Sequence, residues 1–240
     1  MSAIAGIVRF DGQALDRSVL QRMSSILAPY GRDAQGTWHG AGVGLVRSLL
    51  RTTPEDRYDR QPVASADFQV VFAGRLDNRD ELIAQLALDK RLGSQMADSE
   101  LMAHACQRWD TLALERVEGS YALACWQPQR RRLWLARDVM GGQPLFWHRQ
   151  SGFLAFASWP KALFCVPGVP RSVDEQSVLE QLALLPMAGC SFKDIQRVNP
   201  GEFMLVEGNQ LSTHVHRCLG GGPQVRFKHD EDYVEALHEH

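Results

Sequence analysis

Between residues 119 and 158 the chain sets short apolar runs between turn residues at a regular spacing, and this series most constrains its fold. Residues 121–126, 132–136, 144–148 and 152–158 each have strand length, which predicts a sheet built largely of antiparallel neighbours. Further strands are expected at 1–10, where Ile4, Ile7 and Val8 surround Gly6 before an Asp11-Gly12 turn, at 40–51, and at 68–72. A closing hairpin is expected from 202–206 and 211–216 around Gly208-Asn209. Apolar residues recur at helical spacing over 14–28 (Leu15, Val19, Leu20, Met23, Ile26, Leu27), and Pro29 stops that helix. Helices are also expected over 80–88, 98–109 with Asp98 as its cap, and 174–185. Together these predict an α+β architecture, with helices covering a stacked antiparallel sheet core.

Composition narrows the function classes. The 240 residues are 45% hydrophobic and 22% charged, enough to bury a core without metal or disulfide staples. Net charge is −2 with the signs interspersed, so there is no basic stripe for nucleic acid. The apolar run at 4–8 is interrupted too soon for a secretory signal, and no stretch approaches the roughly 18 apolar residues of a membrane span. The five cysteines (Cys106, Cys125, Cys165, Cys190, Cys218) never fall in Cys-x-x-Cys spacing, which argues against a disulfide framework or zinc site. A cytoplasmic location is the simplest expectation.

The texture changes after Cys218. Residues 218–229, with three consecutive glycines and a proline, have linker composition. Asp230 then caps an expected helix over 232–240 with Tyr233, Val234 and Leu237 on one face, read as the first turns of a second domain. The expected organisation is therefore a domain over 1–217, a linker over 218–229, and the start of another domain over 230–240.

Four ordered segments carry a family resemblance. Arg137-Asp138-Val139-Met140-Gly141-Gly142-Gln143-Pro144-Leu145-Phe146 resembles the "RD-x-x-G-x-x-PL-[YF]" segment of asparagine synthetases and related class II glutamine amidotransferases. Ala157-Ser158-Trp159-Pro160-Lys161-Ala162-Leu163 resembles "SE-x-KAL", Pro200-Gly201-Glu202 the "PGE" turn, and Gly119-Ser120-Tyr121-Ala122-Leu123-Ala124 "G-x-[FY]-A-[FL]-A". The resemblance covers residues 1 to about 217. It implies an N-terminal-nucleophile (Ntn) hydrolase fold, an αββα sandwich of two stacked antiparallel sheets between helical layers. It also implies a C-terminal ATP-pyrophosphatase domain with a Ser-Gly-Gly-x-Asp-Ser loop; this chain has no such motif, and Gly220-Gly221-Gly222 reads as linker.

By that resemblance the glutaminase nucleophile is the residue exposed when Met1 is removed, with its own α-amino group as base. The family uses Cys, and this sequence has Ser2, read either as a weak nucleophile or as a small residue fitting the first strand. The "NGE" oxyanion segment becomes Ala73-Gly74-Arg75, which leaves only the Gly74 N–H as donor and replaces the acid by Arg75. Arg47 is the best match to the arginine that pairs with the glutamine carboxylate, with Arg51 a rival. "RGPD" is reduced to Tyr30-Gly31-Arg32-Asp33, and "GSD" to Met96-Ala97-Asp98, whose Asp98 is read as an ammonium ligand or a helix cap. Nucleophile, donor and acid change together, so the expectation is a vestigial site.

Within the superfamily the wording Leu50-Arg51-Thr52-Thr53-Pro54-Glu55-Asp56-Arg57, the run from Ala73 to Leu82, and Ala97-Asp98-Ser99 resemble lasso peptide macrolactam cyclases. That resemblance implies ATP and Mg2+ in the second domain, none for this chain, and a peptide or small amino-acid-like substrate; a homodimer is left open. The alternative is an asparagine synthase hydrolysing glutamine with Ser2. His214 and His216 fall on one strand face but lack a third metal ligand nearby, and Arg130-Arg131-Arg132 reads as a hairpin tip.

Overall fold

A computed structural model of the chain describes residues 1–65, 67–185, 189–208, 210–220 and 225–238. Asn209 of the expected closing turn, residues 221–224 of the expected linker, and His240 lie outside the described residues.

Twelve strands are described: β1 (Ala3–Arg9), β2 (Ala34–Gly40), β3 (Val43–Leu49), β4 (Val63–Ser65), β5 (Phe68–Leu76), β6 (Gly119–Gln127), β7 (Arg132–Arg137), β8 (Phe146–Gln150), β9 (Phe153–Ala157), β10 (Gln196–Arg197), β11 (Glu202–Glu207) and β12 (Gln210–Val215). They form two six-stranded sheets, in the orders β10-β8-β9-β1-β3-β2 and β12-β11-β7-β6-β5-β4, with antiparallel pairing throughout. The helices are α1 (Arg17–Leu27), α2 (Arg79–Gln85), α3 (Lys90–Gly93), α4 (Asp98–Trp109), α5 (Ala113–Arg116), α6 (Pro160–Leu163), α7 (Glu175–Leu182) and α8 (Asp230–His238).

Three apolar layers define the stack. Between the sheets, Ile4, Val8, Leu45 and Phe156 of the first meet Val71, Ala73, Leu133 and Leu135 of the second. Outside the first sheet, Ala5, Ile7 and Val46 pack on Val19, Leu20, Met23 and Leu27 of α1 and on Leu163 of α6. Outside the second, Val70, Phe72 and Trp134 pack on Leu101, Met102 and Cys106 of α4. The result is the expected αββα sandwich. Because both faces of each central strand are buried, apolar residues occupy both phases of the pleat, and β1, β3 and β7 read as continuous runs rather than alternating ones.

The family segments now have mechanical reasons. Arg137 is buried, and its guanidinium donates to the carbonyls of Gln143 (2.7 Å), Val198 (2.6 Å) and Gly141, pinning the 138–145 loop to the approach of β11. Burial draws its pKa down to about 10, so it stays charged at neutral pH. Asp138 accepts the N–H groups of Tyr121 (3.0 Å), Met140 (2.9 Å) and Gly142 (3.1 Å), as a buried carboxylate requires.

Several boundaries shift. α1 begins at Arg17 because Asp16 caps it, accepting the Ser18 N–H. The strand expected over 40–51 is Val43–Leu49, and β5 runs on to Leu76. The edge strands β2, β4 and β10 carried no apolar signal, since an edge strand is half-solvated and here also short or glycine-rich. The helix expected over 174–185 ends at Leu182, with Leu184 already at positive φ. The last helix begins at Asp230 rather than after it. No helix among the described residues is long and apolar enough to cross a membrane.

Candidate functional site

The residues leading into β1, the end of β5 and the start of β6 converge on a cavity of about 270 Å3 lined by Met1, Ser2, Thr52, Gly74, Arg75, Ser120 and Gln143. Three of the sequence-derived candidates, Ser2, Gly74 and Arg75, therefore share one site. Ala73, Arg47 and Asp98 do not line it.

Ser2 precedes β1, and its Oγ accepts the Leu50 N–H (3.0 Å) while donating to the Leu50 carbonyl (3.2 Å). The hydroxyl thus extends the β1–β3 ladder, with both of its hydrogen-bonding roles engaged by one residue's main chain. Gly74 has φ +146°, and a Cβ there would stand 2.1 Å from the Ser120 carbonyl oxygen. Ala73 points the other way, into the layer between the sheets, and offers the cavity no donor. Arg75 reaches out of the cavity, 61% exposed, with its Nε 2.8 Å from Asp77. The cavity lining carries one guanidinium and no carboxylate.

Arg47 is closed off. Its guanidinium lies 2.5 Å from Asp59, at side-chain exposures of 3% and 5%. Burial pushes its pKa down, against the pull of Asp59 and Asp56. Asp59 also accepts from the Gln61 N–H (3.1 Å), the Gln61 Nε2 (2.9 Å) and the Ser99 hydroxyl (3.3 Å). Gln61 in turn takes up both main-chain groups of Phe72, donating to its carbonyl (2.9 Å) and accepting its N–H (2.5 Å). Arg47, Asp59 and Gln61 thereby tie β3 of one sheet to β5 of the other. Arg51, the rival, is exposed, and its N–H donates to Asp33 (2.6 Å). Nothing in the sequence spacing signals the Arg47–Asp59 pair, because the two residues meet only through tertiary packing.

Asp98 departs from its expected capping role. The cap position of α4 falls to Ala97, and Asp98 is the first helical residue. Its carboxylate accepts the Leu76 N–H (2.8 Å) and pairs with Arg79. Burial nevertheless holds its pKa above the ordinary value of 3.8, with the Leu76 N–H and Arg79 pulling the other way. The folded state therefore binds the Asp98 proton more tightly than the unfolded chain does, so stability rises as pH falls through the folded pKa toward 3.8 and is lost as pH rises. Asp98→Asn removes this dependence. The difference in urea midpoint between wild type and D98N is expected to move in favour of wild type between about pH 7 and about pH 4. Movement in the opposite direction would show that Arg79 outweighs burial.

His216 turns its ring nitrogens to the carbonyls of Leu114 (3.2 Å) and Arg137 (2.8 Å), while His214 stacks on Phe203 with centroids 5.0 Å apart. The two are used separately, in packing and main-chain bonding.

A model of the glutamine amidotransferase domain matches residues 1–217. The chain belongs to this family. The amidotransferase domain is 26% identical over 220 residues to the Bacillus subtilis (strain 168) protein called asparagine synthetase 3, glutamine-hydrolysing, covering 88% of this chain and 36% of the relative. It is 26% identical over 251 residues to asparagine synthetase 2 of the same organism, covering 99% and 33%. The chain thus spans about a third of the length of the curated relatives it matches. Among solved structures it superposes on a glutamine phosphoribosylpyrophosphate amidotransferase from B. subtilis with TM-score 0.62 at 16% identity, over 90% of this chain and 49% of that one. A structure described as the allosteric regulatory enzyme of purine biosynthesis gives TM-score 0.63 at 17% identity, covering 90% of this chain and 49% of that chain. These two likenesses establish the Ntn-hydrolase-type fold.

Proposed function

We propose that this amidotransferase domain has lost glutamine hydrolysis and serves as the N-terminal scaffold of an ATP-dependent amide ligase of asparagine-synthetase type. The observation that supports this most is the fate of the polar groups a glutamine would need. The Ser2 hydroxyl is engaged on both sides by Leu50, and Arg47 is sealed onto Asp59. The cavity beside Ser2 has Arg75 at its rim and no carboxylate in its lining to meet a substrate ammonium. Loss of one oxyanion donor alone costs a factor on the order of 10²–10³ in rate, and serine in place of a thiol lowers it further.

The whole protein we read as a lasso peptide macrolactam cyclase. In that reaction the side-chain carboxylate of an Asp or Glu is adenylated by ATP with release of pyrophosphate. The peptide's own N-terminal amine then attacks, AMP leaves, and no ammonia is consumed. ATP and Mg2+ belong in this reading to the synthetase domain that residues 218–229 would link and residues 230–240 begin. Among the described residues no group of His, Cys, Asp or Glu is placed to hold a metal ion, and no step is assigned to ATP within this domain.

The test is release of glutamate by the purified protein supplied with glutamine. No release above the blank is expected, and Ser2→Cys is expected not to restore it. Steady turnover abolished by Ser2→Ala would overturn the reading in favour of a glutamine-hydrolysing asparagine synthase. A Ser-Gly-Gly-x-Asp-Ser loop in the reading frame past residue 240, with ATP-dependent loss of one water from a precursor peptide by mass, would support the cyclase. Asparagine formed from aspartate and ammonia would overturn it.

A further inference from the structure

On the side of the sandwich where the edges of the two sheets approach, a second cavity of about 490 Å3 opens. Its lining combines Trp147 of β8, Gln196 and Arg197 of β10, Glu202 and Met204 of β11, and Thr213 of β12, so each sheet contributes one wall. The floor is apolar: Met204 and Val198 are nearly fully buried and belong to the layer between the sheets, with Trp147 packed against them. Polar groups stand above it. The volume is in the range of small-molecule sites, as is the combination of an apolar floor with a few convergent polar groups.

Arg197 is the anomaly in this lining. Its Nε is buried and has no hydrogen-bond partner among the described residues. No ion pair among those residues takes up its charge. Glu202, the one carboxylate in the lining, accepts instead from the Asn199 amide (3.0 Å). A half-buried guanidinium that no carboxylate among the described residues pairs with is costly unless an anion approaches its accessible end. Its charge also bears on Arg137, whose pKa is lowered first by burial and next by Arg197. Arg137 is spent on main-chain carbonyls outside the lining, so Arg197 is the guanidinium an anion in the cavity would meet. A planar carboxylate matches the guanidinium fork in geometry and in hydrogen-bond number.

We propose that this cavity is a binding site for a small carboxylate-bearing ligand with an aromatic or large apolar body, its carboxylate on Arg197 and its apolar part against Trp147 and Met204. The site is separate from the Ser2 cavity, with which it shares no lining residue, and does not depend on whether glutamine is hydrolysed.

Calorimetric titration of the full chain with N-acetylphenylalanine and with N-acetylphenylalaninamide tests it, since the two probes differ only in the carboxylate. The acid is expected to bind in the millimolar range or better, and the amide at least about tenfold more weakly. Arg197→Gln removes no hydrogen bond made by the Arg197 side chain to the described residues, so the variant is expected to melt with wild type while losing at least about tenfold in affinity for the acid. Arg197→Lys, which keeps the charge but not the fork, should fall between them. Absence of acid binding to wild type, equal binding of acid and amide, or undiminished binding by R197Q would each overturn the assignment. Should R197Q fail to fold, loss of the acid-over-amide preference in R197K decides the same question.

Discussion

Asp59→Asn is expected to lower the unfolding free energy by about 3–5 kcal/mol, the largest effect of any single polar substitution in this domain. The reason is asymmetric. Arg47 and Asp59 are both almost fully buried at 2.5 Å, so each charge is tolerated only because the other is present. Replacing the carboxylate by an amide leaves a charged guanidinium in the same dry surroundings, with its Nε already lacking a partner. The Gln61 side chain loses its anchor as well, and with it the tie to the Phe72 main chain. A paired replacement, Arg47→Met with Asp59→Asn, removes both charges and is expected to recover the part of the loss that comes from the uncompensated guanidinium, while the amide at position 59 can still accept from one of the Gln61 and Ser99 donors. Urea unfolding of the two single variants and the double variant checks this. A cost below about 1 kcal/mol for D59N would show that water reaches the pair and that Arg47 is available to a ligand after all.

Gly74→Ala is expected to cost at least about 3 kcal/mol and to close the Ser2 cavity. Its φ of +146° is one that L side chains rarely adopt, which alone costs about 1–3 kcal/mol. The added methyl would also stand 2.1 Å from the Ser120 carbonyl oxygen and 2.6 Å from the Tyr121 Cα, both main-chain atoms of the paired strand β6. Neither can step aside without breaking the ladder at the centre of the second sheet. Gly12→Ala is the control: its φ is +75°, yet nothing lies within 4 Å of the added atom. It should cost only about 1 kcal/mol, the conformational part alone. Thermal melts of both variants separate the contributions, and equal costs would refute the steric account.

The layered fold was legible because its central strands are buried on both faces, which leaves apolar runs that composition cannot hide. β6, β7, β8 and β9 lie within a few residues of where the sequence places them. β2, β4 and β10 were not legible, since their pairing rests on main-chain groups at a sheet edge and needs no apolar side chain. In the site, Ser2, Gly74 and Arg75 line one cavity, because the start of the first strand lies beside the end of β5 in this fold. Arg47 was read as a carboxylate clamp and Asp98 as an ammonium ligand or a helix cap, and the structure engages both with partners within the chain, Asp59 and Arg79. Arg79 and Asp98 are nineteen residues apart, and no period of helix or strand relates them.

What the sequence alone determined is thus the layer architecture, the family and the identity of the residues around the first strand. Each of these follows from local pattern or from segments read in order. Which charges are spent inside the protein and which remain free was decided only by the tertiary structure. A guanidinium reads the same in sequence whether it meets a buried carboxylate, as Arg47 does, or lines a cavity with no ion pair among the described residues, as Arg197 does. The difference lies in desolvation and in contacts between distant strands, which only the packed chain defines.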